Sequence, residues 1–196
     1  MLNKLTLITM LLLVVAFPAD LYSNPLNIVK GPSNPLFLYG KTIKFDVYRD
    51  GQKVGFHSVD FSKEGKNLIV SCAFQLKINL LIFTAYHFNY QSDAIWENGT
   101  LKTIKVHVND DGESMFIKAV KTSTGMSIKK NSETTYTGPI VFPTNHWNLG
   151  VLQEKKVLNT ITGEINNVSI VRGEKELVAT EKGEILAIRY IYSGDL

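Results

Sequence analysis

Residues 86–108, YHFNYQSDAIWENGTLKTIKVHV, alternate apolar and polar side chains on both sides of an Asn98-Gly99 pair. Alternation with a period of two is typical of β-strands that bury one face, and Asn-Gly is a strong signal for a β-hairpin turn. The stretch therefore predicts two long antiparallel strands. Because the same alternation continues along most of the chain, we expect an all-β fold, an antiparallel meander that forms a curved sheet or an open barrel.

The register of this hairpin depends on the length of its loop. A two-residue loop would place Tyr90 opposite His107, which would mix apolar and polar side chains on one face. A three-residue loop over 97–99 pairs Tyr90 with Val106 and brings the apolar side chains to a single face. We therefore predict the three-residue loop, unless a bulge elsewhere in either strand restores the parity.

The remaining strands and turns follow from the same two signals. Beyond 83–97 and 101–109, strands are predicted over 41–49, 53–61, 67–80, 114–121, 126–130, 156–159, 164–171 and 185–192. Turns are predicted at 50–51, 98–99, 111–112, 124–125, 162–163 and 172–173. The proline-rich residues 24–40 predict an extended arm, and residues 144–153, the one break in the alternation, predict a short helical or loop plug.

The N-terminus has the features of a secretory signal peptide. Lys4 is followed by thirteen uncharged residues, 5–17, and then by a polar exit that includes Asp20. An uncleaved anchor is the alternative, but a membrane span needs roughly 20 apolar residues. We expect cleavage after Ser23 or Ala19, a periplasmic or secreted product without a stable transmembrane segment, and a single β domain over 41–196.

Composition argues against a nucleic-acid-binding protein and excludes an intramolecular disulfide. The 21 Lys and Arg residues exceed the 18 Asp and Glu residues by only three, and they are scattered, so nothing supports a nucleic-acid partner. Cys72 is the single cysteine, which rules out an intramolecular disulfide. It shares strand parity with Val70 and Phe74, so we expect a buried, unreactive thiol.

The sequence lacks the local motifs of familiar enzymes. The four histidines are not at metal-ligand spacing, and no nucleophile elbow, phosphate loop or paired cysteine motif is present. We therefore predict no catalytic residue, no metal and no cofactor. Two other interpretations stay open: a hydrolytic or isomerising enzyme that uses His146, and a structural envelope protein without a ligand.

Two segments could line a binding site for an apolar or lipid-like molecule. Four aromatic side chains project to one face of the hairpin, and an imidazole and an indole lie in the predicted plug. The candidate lining residues are Tyr86, Phe88, Tyr90, Trp96, His146 and Trp147. The alternative is that the rings fill the core and that Trp147 closes one end of the barrel.

Four segments together resemble a bacterial exported family called domain of unknown function 6134. They are YRDGQKVGFH (48–57), residues 86–101 ending in IWENGTL, TNHWN (144–148) and VLNTITG (157–163). The resemblance implies an all-β exported protein and implies no reaction. Members usually continue into a further hairpin beyond the tract that matches 188–196. The resemblance therefore implies either a truncated reading frame or an open edge at the strand over 185–192, which could pair with an envelope protein.

Overall fold

The structure, a computed structural model, describes residues 34–80, 83–138, 141–144, 146–181 and 183–195. Within these residues the fold is all-β, as the alternation predicts, and its strands form two sheets. The predicted signal peptide, residues 1–23, and most of the predicted arm lie outside the described residues.

The first sheet is an antiparallel meander in which each strand pairs with the next along the chain. Its eight strands are β1 (Thr42–Arg49), β2 (Gln52–Glu64), β3 (Asn67–Leu80), β4 (Phe83–Glu97), β5 (Thr100–Asp110), β6 (Glu113–Lys121), β7 (Met126–Lys130) and β8 (Glu133–Thr137). Strands β1 and β8 are its two edges, so the sheet is not closed. The predicted meander is confirmed.

The second sheet is smaller and has the strand order β12-β11-β10-β9. Its strands are β9 (Phe142–Pro143), β10 (Lys156–Leu158), β11 (Ile165–Thr180) and β12 (Gly183–Gly194). The pairing of β9 with β10 is parallel, and the other pairings are antiparallel. Among the residues that the structure describes, strand β12 is an edge of this sheet.

The central hairpin has a two-residue turn, so the predicted three-residue loop is wrong. Glu97 pairs with Thr100, and Asn98 and Gly99 have φ angles of 50° and 74°, a conformation that Asn and Gly adopt readily. The parity is restored by a bulge, since Ile95 pairs with Thr103 whereas Trp96 pairs with Leu101. The apolar side chains still reach one face, because the bulge supplies the extra residue that the loop does not.

Three other predictions need correction. The predicted turn at 172–173 is instead a bulge within β11, which continues to Thr180. In the predicted arm, Pro35–Tyr39 form a short helix, α1, which begins at a proline as helices often do. Strands β8 and β9 were not predicted, because β8 is exposed along almost its whole length and β9 has only two residues.

The short 3-10 helix Leu149–Gln153 confirms the helical turn predicted within the plug. The main core lies on one face of the first sheet, named here the inner face, and the second sheet contributes Leu158 to the same core. Cys72 is in this core, and burial raises the pKa of its thiol to about 12. The expectation of a buried thiol is therefore confirmed.

Candidate ligand-binding site

Side chains on the inner face form rows across the sheet, because directly paired residues lie side by side. Two rows are buried throughout: Phe61, Val70, Ala94 and Ile104, and then Val59, Cys72, Ser92 and Val106. The third row contains Phe45, which is 37% exposed, and half-buried His57. Beyond it, Leu76 and Tyr86 are half-buried. The inner face is therefore closed at one end and becomes accessible towards the other.

An aromatic cluster closes the buried end. The ring of Trp147 is 5.4 Å from the ring of Phe61 and 5.3 Å from that of Trp96, measured between centroids. Trp96 also contacts Phe142 at 5.5 Å, and the hydroxyl of Tyr39 donates a hydrogen bond to the carbonyl oxygen of Trp147 at 3.1 Å. Two predicted lining residues, Trp96 and Trp147, are thus brought together here.

Two further candidates, Phe88 and Tyr90, lie in the middle of the inner face. The Phe88 ring packs on Phe74 with centroids 5.7 Å apart. The Tyr90 hydroxyl donates to the hydroxyl oxygen of Thr160 at 3.0 Å, and Thr160 is in turn within 3.0 Å of the Thr144 hydroxyl. This buried chain of hydroxyls joins the first sheet to the segment between β10 and β11.

Two imidazoles lie close enough for a charge on one to lower the pKa of the other. His57 projects from β2 onto the inner face, where its ring is 6.0 Å from Phe45 and 6.0 Å from Phe74. His146 precedes the 3-10 helix, and its ring contacts Tyr192 of β12 at 4.6 Å. The sequence analysis missed His57 and Tyr192 as site residues. The signal for His57 was available, since it shares strand parity with Val59 and Phe61.

Burial keeps both imidazoles neutral near pH 7. It lowers the pKa of His57, and it lowers that of His146 to about 4, where a positive charge on His57 adds to the effect. Burial also raises the pKa of the Tyr192 hydroxyl to about 12. The site therefore presents neutral rings that can donate or accept hydrogen bonds.

Four ring nitrogens in this region are buried without a hydrogen-bond partner in the described part of the chain. They are Nδ1 of His57, Nδ1 of His146, Nε1 of Trp96 and Nε1 of Trp147. A fifth unpartnered atom, the hydroxyl oxygen of Thr103, belongs to β5. Buried polar atoms are nearly always partnered in folded proteins, so a cluster of unpartnered ones indicates a place where another molecule supplies the partners.

The accessible end of the inner face is apolar. Val47, Leu76, Ile78 and Met115 are half-buried there, together with the predicted lining residue Tyr86. A hydrogen bond with Asp110 adds to desolvation in raising the pKa of the Tyr86 hydroxyl. This end therefore presents half-buried apolar side chains next to the row that contains Phe45 and His57.

The family described as Domain of unknown function (DUF6134) matches residues 45–196. The chain belongs to this family. The match begins within β1 and includes both histidines of the site, both tryptophans and all the side chains of the apolar end. The resemblance to this family is therefore confirmed. No curated protein and no solved structure was found to be similar.

A concavity lies at the β8 edge of the inner face, between β8 and the start of β11. It has a volume of about 350 Å³, and an ion pair between Lys130 and Glu164 at 3.6 Å lies in its wall. None of the unpartnered buried atoms belongs to its lining. The region around His57 and His146 is therefore the better candidate for a ligand site.

Among the residues that the structure describes, no three His, Cys, Asp or Glu side chains are grouped closely enough to hold a metal ion. Over the same residues, no helix has the length and apolar character required to cross a membrane.

Proposed function

We propose that this protein is exported and that it holds an apolar small molecule between its two sheets. The observation that carries the proposal is the cluster of unpartnered ring nitrogens inside an otherwise apolar interior that becomes accessible at one end. Binding sites for apolar ligands have this composition, with apolar and aromatic walls and a few polar groups that orient the ligand.

The polar content of the interior favours binding over catalysis. His146 has a ring contact with Tyr192, and no carboxylate contributes to the shift of its pKa. A general base normally needs a group that orients it and raises its basicity, whereas burial makes this imidazole a weaker base. The enzyme interpretation therefore gains no support from the surroundings of its one candidate.

A fluorescent probe tests ligand binding. N-phenyl-1-naphthylamine is uncharged and brightens in apolar surroundings, so we expect saturable binding to the exported protein. Leu76→Trp should weaken it at least about fivefold, because the larger ring fills the accessible end of the inner face. Phe116→Trp on the exposed face is the matched control and should leave binding unchanged. Probe binding that does not saturate, or that Leu76→Trp leaves unaltered, would contradict the proposal.

Export is supported by the signal-peptide features of residues 1–23. The intact mass of the protein recovered from the periplasm or the medium tests it. We expect a mass that corresponds to a chain starting at Asn24 or Asp20. A full-length chain that stays in the membrane fraction would show instead that the apolar run acts as an anchor.

A second candidate function is the docking of an envelope protein on the β11–β12 hairpin. Two directly paired sets of apolar side chains are exposed there, Leu177 with Leu186 and Val171 with Ile191. Exposed apolar pairs on an edge hairpin are typical of surfaces that bind other chains. Cross-linking in whole cells tests it, with a photoreactive residue at 186 expected to trap a partner and one at 116 expected to trap none.

A further inference from the structure

The polar groups of the inner-face site also define the chemical class of its ligand. This inference rests on the proposed function, because it asks which polar group the apolar molecule carries. The evidence is that the buried polar atoms of the interior belong to uncharged groups, and that no described residue with a fixed charge is buried there.

The interior holds no fixed charge. The buried polar residues of the described chain are Ser92, Asn148, Thr160 and Asn166, and none of its Lys, Arg, Asp or Glu residues is buried. An ionised head group placed among such residues would lose its hydration without gaining a partner of opposite charge. A carboxylate, sulfate or phosphate is therefore poorly suited to this interior.

The imidazoles do not supply the missing charge. Burial lowers the pKa of His146 to about 4, so the ring is neutral at pH 7. A second proton on the pair is opposed further, because a charge on His57 lowers the pKa of His146. The pair therefore acts as two neutral hydrogen-bonding groups rather than as an anion site.

Neutral imidazole and indole nitrogens do match a hydroxyl or a carbonyl. Each imidazole Nδ1 can donate or accept according to its tautomer, and each indole Nε1 donates. A hydroxyl can donate a hydrogen bond to these nitrogens or accept one from them, and a carbonyl can accept one from those that donate. Such a group can partner the unpartnered nitrogens of His57 and His146 without any charge being buried.

We propose that the ligand is an apolar molecule with a single uncharged polar group, a hydroxyl or a carbonyl, that hydrogen bonds to His57 and His146 between the two sheets. Its apolar part packs along the inner face towards Leu76 and Tyr86, where side chains are half-buried. Fatty alcohols, sterol-like alcohols and long-chain ketones belong to this class. Ionised fatty acids and phospholipid head groups do not.

Three ligands with the same ten-carbon chain separate the classes: 1-decanol, decanoate and decyl sulfate. Competition against N-phenyl-1-naphthylamine at pH 7 should show 1-decanol displacing the probe at concentrations at least about tenfold lower than either anion. The affinity of decanoate should increase about tenfold for each pH unit below 7 until the acid is largely protonated, because only the neutral acid enters the site. Decyl sulfate, which stays ionised, should remain weak throughout.

Substitutions at the histidines test where the polar group of the ligand binds. His57→Phe should weaken 1-decanol about five- to tenfold through the loss of one hydrogen bond, while probe binding is retained and shows that the site is intact. The matched control is His107→Phe, since His107 stacks on Phe116 away from the inner face and should leave both ligands unaffected.

Each outcome is decisive. Decyl sulfate binding as tightly as 1-decanol, or tightening below pH 6, would overturn the inference, because the imidazoles would then act as cations. Equal affinity of 1-decanol for the His57→Phe variant and the native protein would also overturn it. Failure of the probe and of all three ligands to bind would instead refute the proposed function.

Discussion

Replacing His146 should remove a defined part of the pH dependence of stability. In the folded chain burial lowers the pKa of this imidazole to about 4, from 6.5 in an unfolded chain. Below pH 6.5 the unfolded state therefore binds a proton that the folded state resists, and stability falls as the pH falls through this window. The full effect is worth about 3 kcal/mol below pH 4, of which about 2 kcal/mol is reached at pH 5.

Urea unfolding followed by tryptophan fluorescence measures this effect. We expect the free energy of unfolding to fall between pH 7.5 and pH 5 by about 2 kcal/mol less in His146→Gln than in the native protein. Titrating groups that do not interact with His146 contribute equally to both proteins and cancel in the comparison. His107→Gln, which replaces a histidine outside the core, is the matched control for the loss of an imidazole.

An unchanged pH dependence in His146→Gln would refute the reasoning. It would mean that the imidazole of His146 is as accessible to protons as in an unfolded chain. His57 and His146 would then not form the neutral pair on which the site depends. A larger loss of stability in the variant at pH 5 would contradict it as well, since the sign would then be that of a protonated, partnered histidine.

Three further predictions concern the rest of the fold. Trp147→Ala should lower the free energy of unfolding by about 3–5 kcal/mol in the same assay, because it removes a ring packed on Phe61 and Trp96. Cys72 should react with a maleimide reagent only when urea unfolds the chain, and rapid labelling of the native protein would show that the thiol is not enclosed. Gly125→Ala should cost more than about 2 kcal/mol, because its φ is +157° and a Cβ would lie 2.0 Å from the carbonyl oxygen of Thr137; an unchanged melting temperature would contradict that packing.

The fold was largely predictable because alternation specifies both strand and face. Strand β4 buries every second side chain from Phe88 to Trp96, so its period of two is visible in the sequence. Where burial does not distinguish the two faces, the signal is lost, as in the exposed strand β8. The bulge opposite Ile95 was predictable only as an alternative, because parity shows that an extra residue is needed but not where it lies.

The site was partly predictable for a related reason. Parity placed Phe88, Tyr90 and Trp96 on one face, and the structure places them there. The approach of His146 to Tyr192 joins two distant segments, and a pairing between sheets leaves no periodic signal in either. His57 could have been identified, since a histidine in an apolar parity set is a candidate for a buried polar group.

Native mass spectrometry of the protein recovered from its own cell envelope tests the central claim most directly. The account predicts a species heavier than the polypeptide by the mass of one small molecule, which dissociates on unfolding and proves to be apolar with an uncharged oxygen group. A spectrum that contains the polypeptide mass alone, from protein that also fails to bind N-phenyl-1-naphthylamine, would contradict the account.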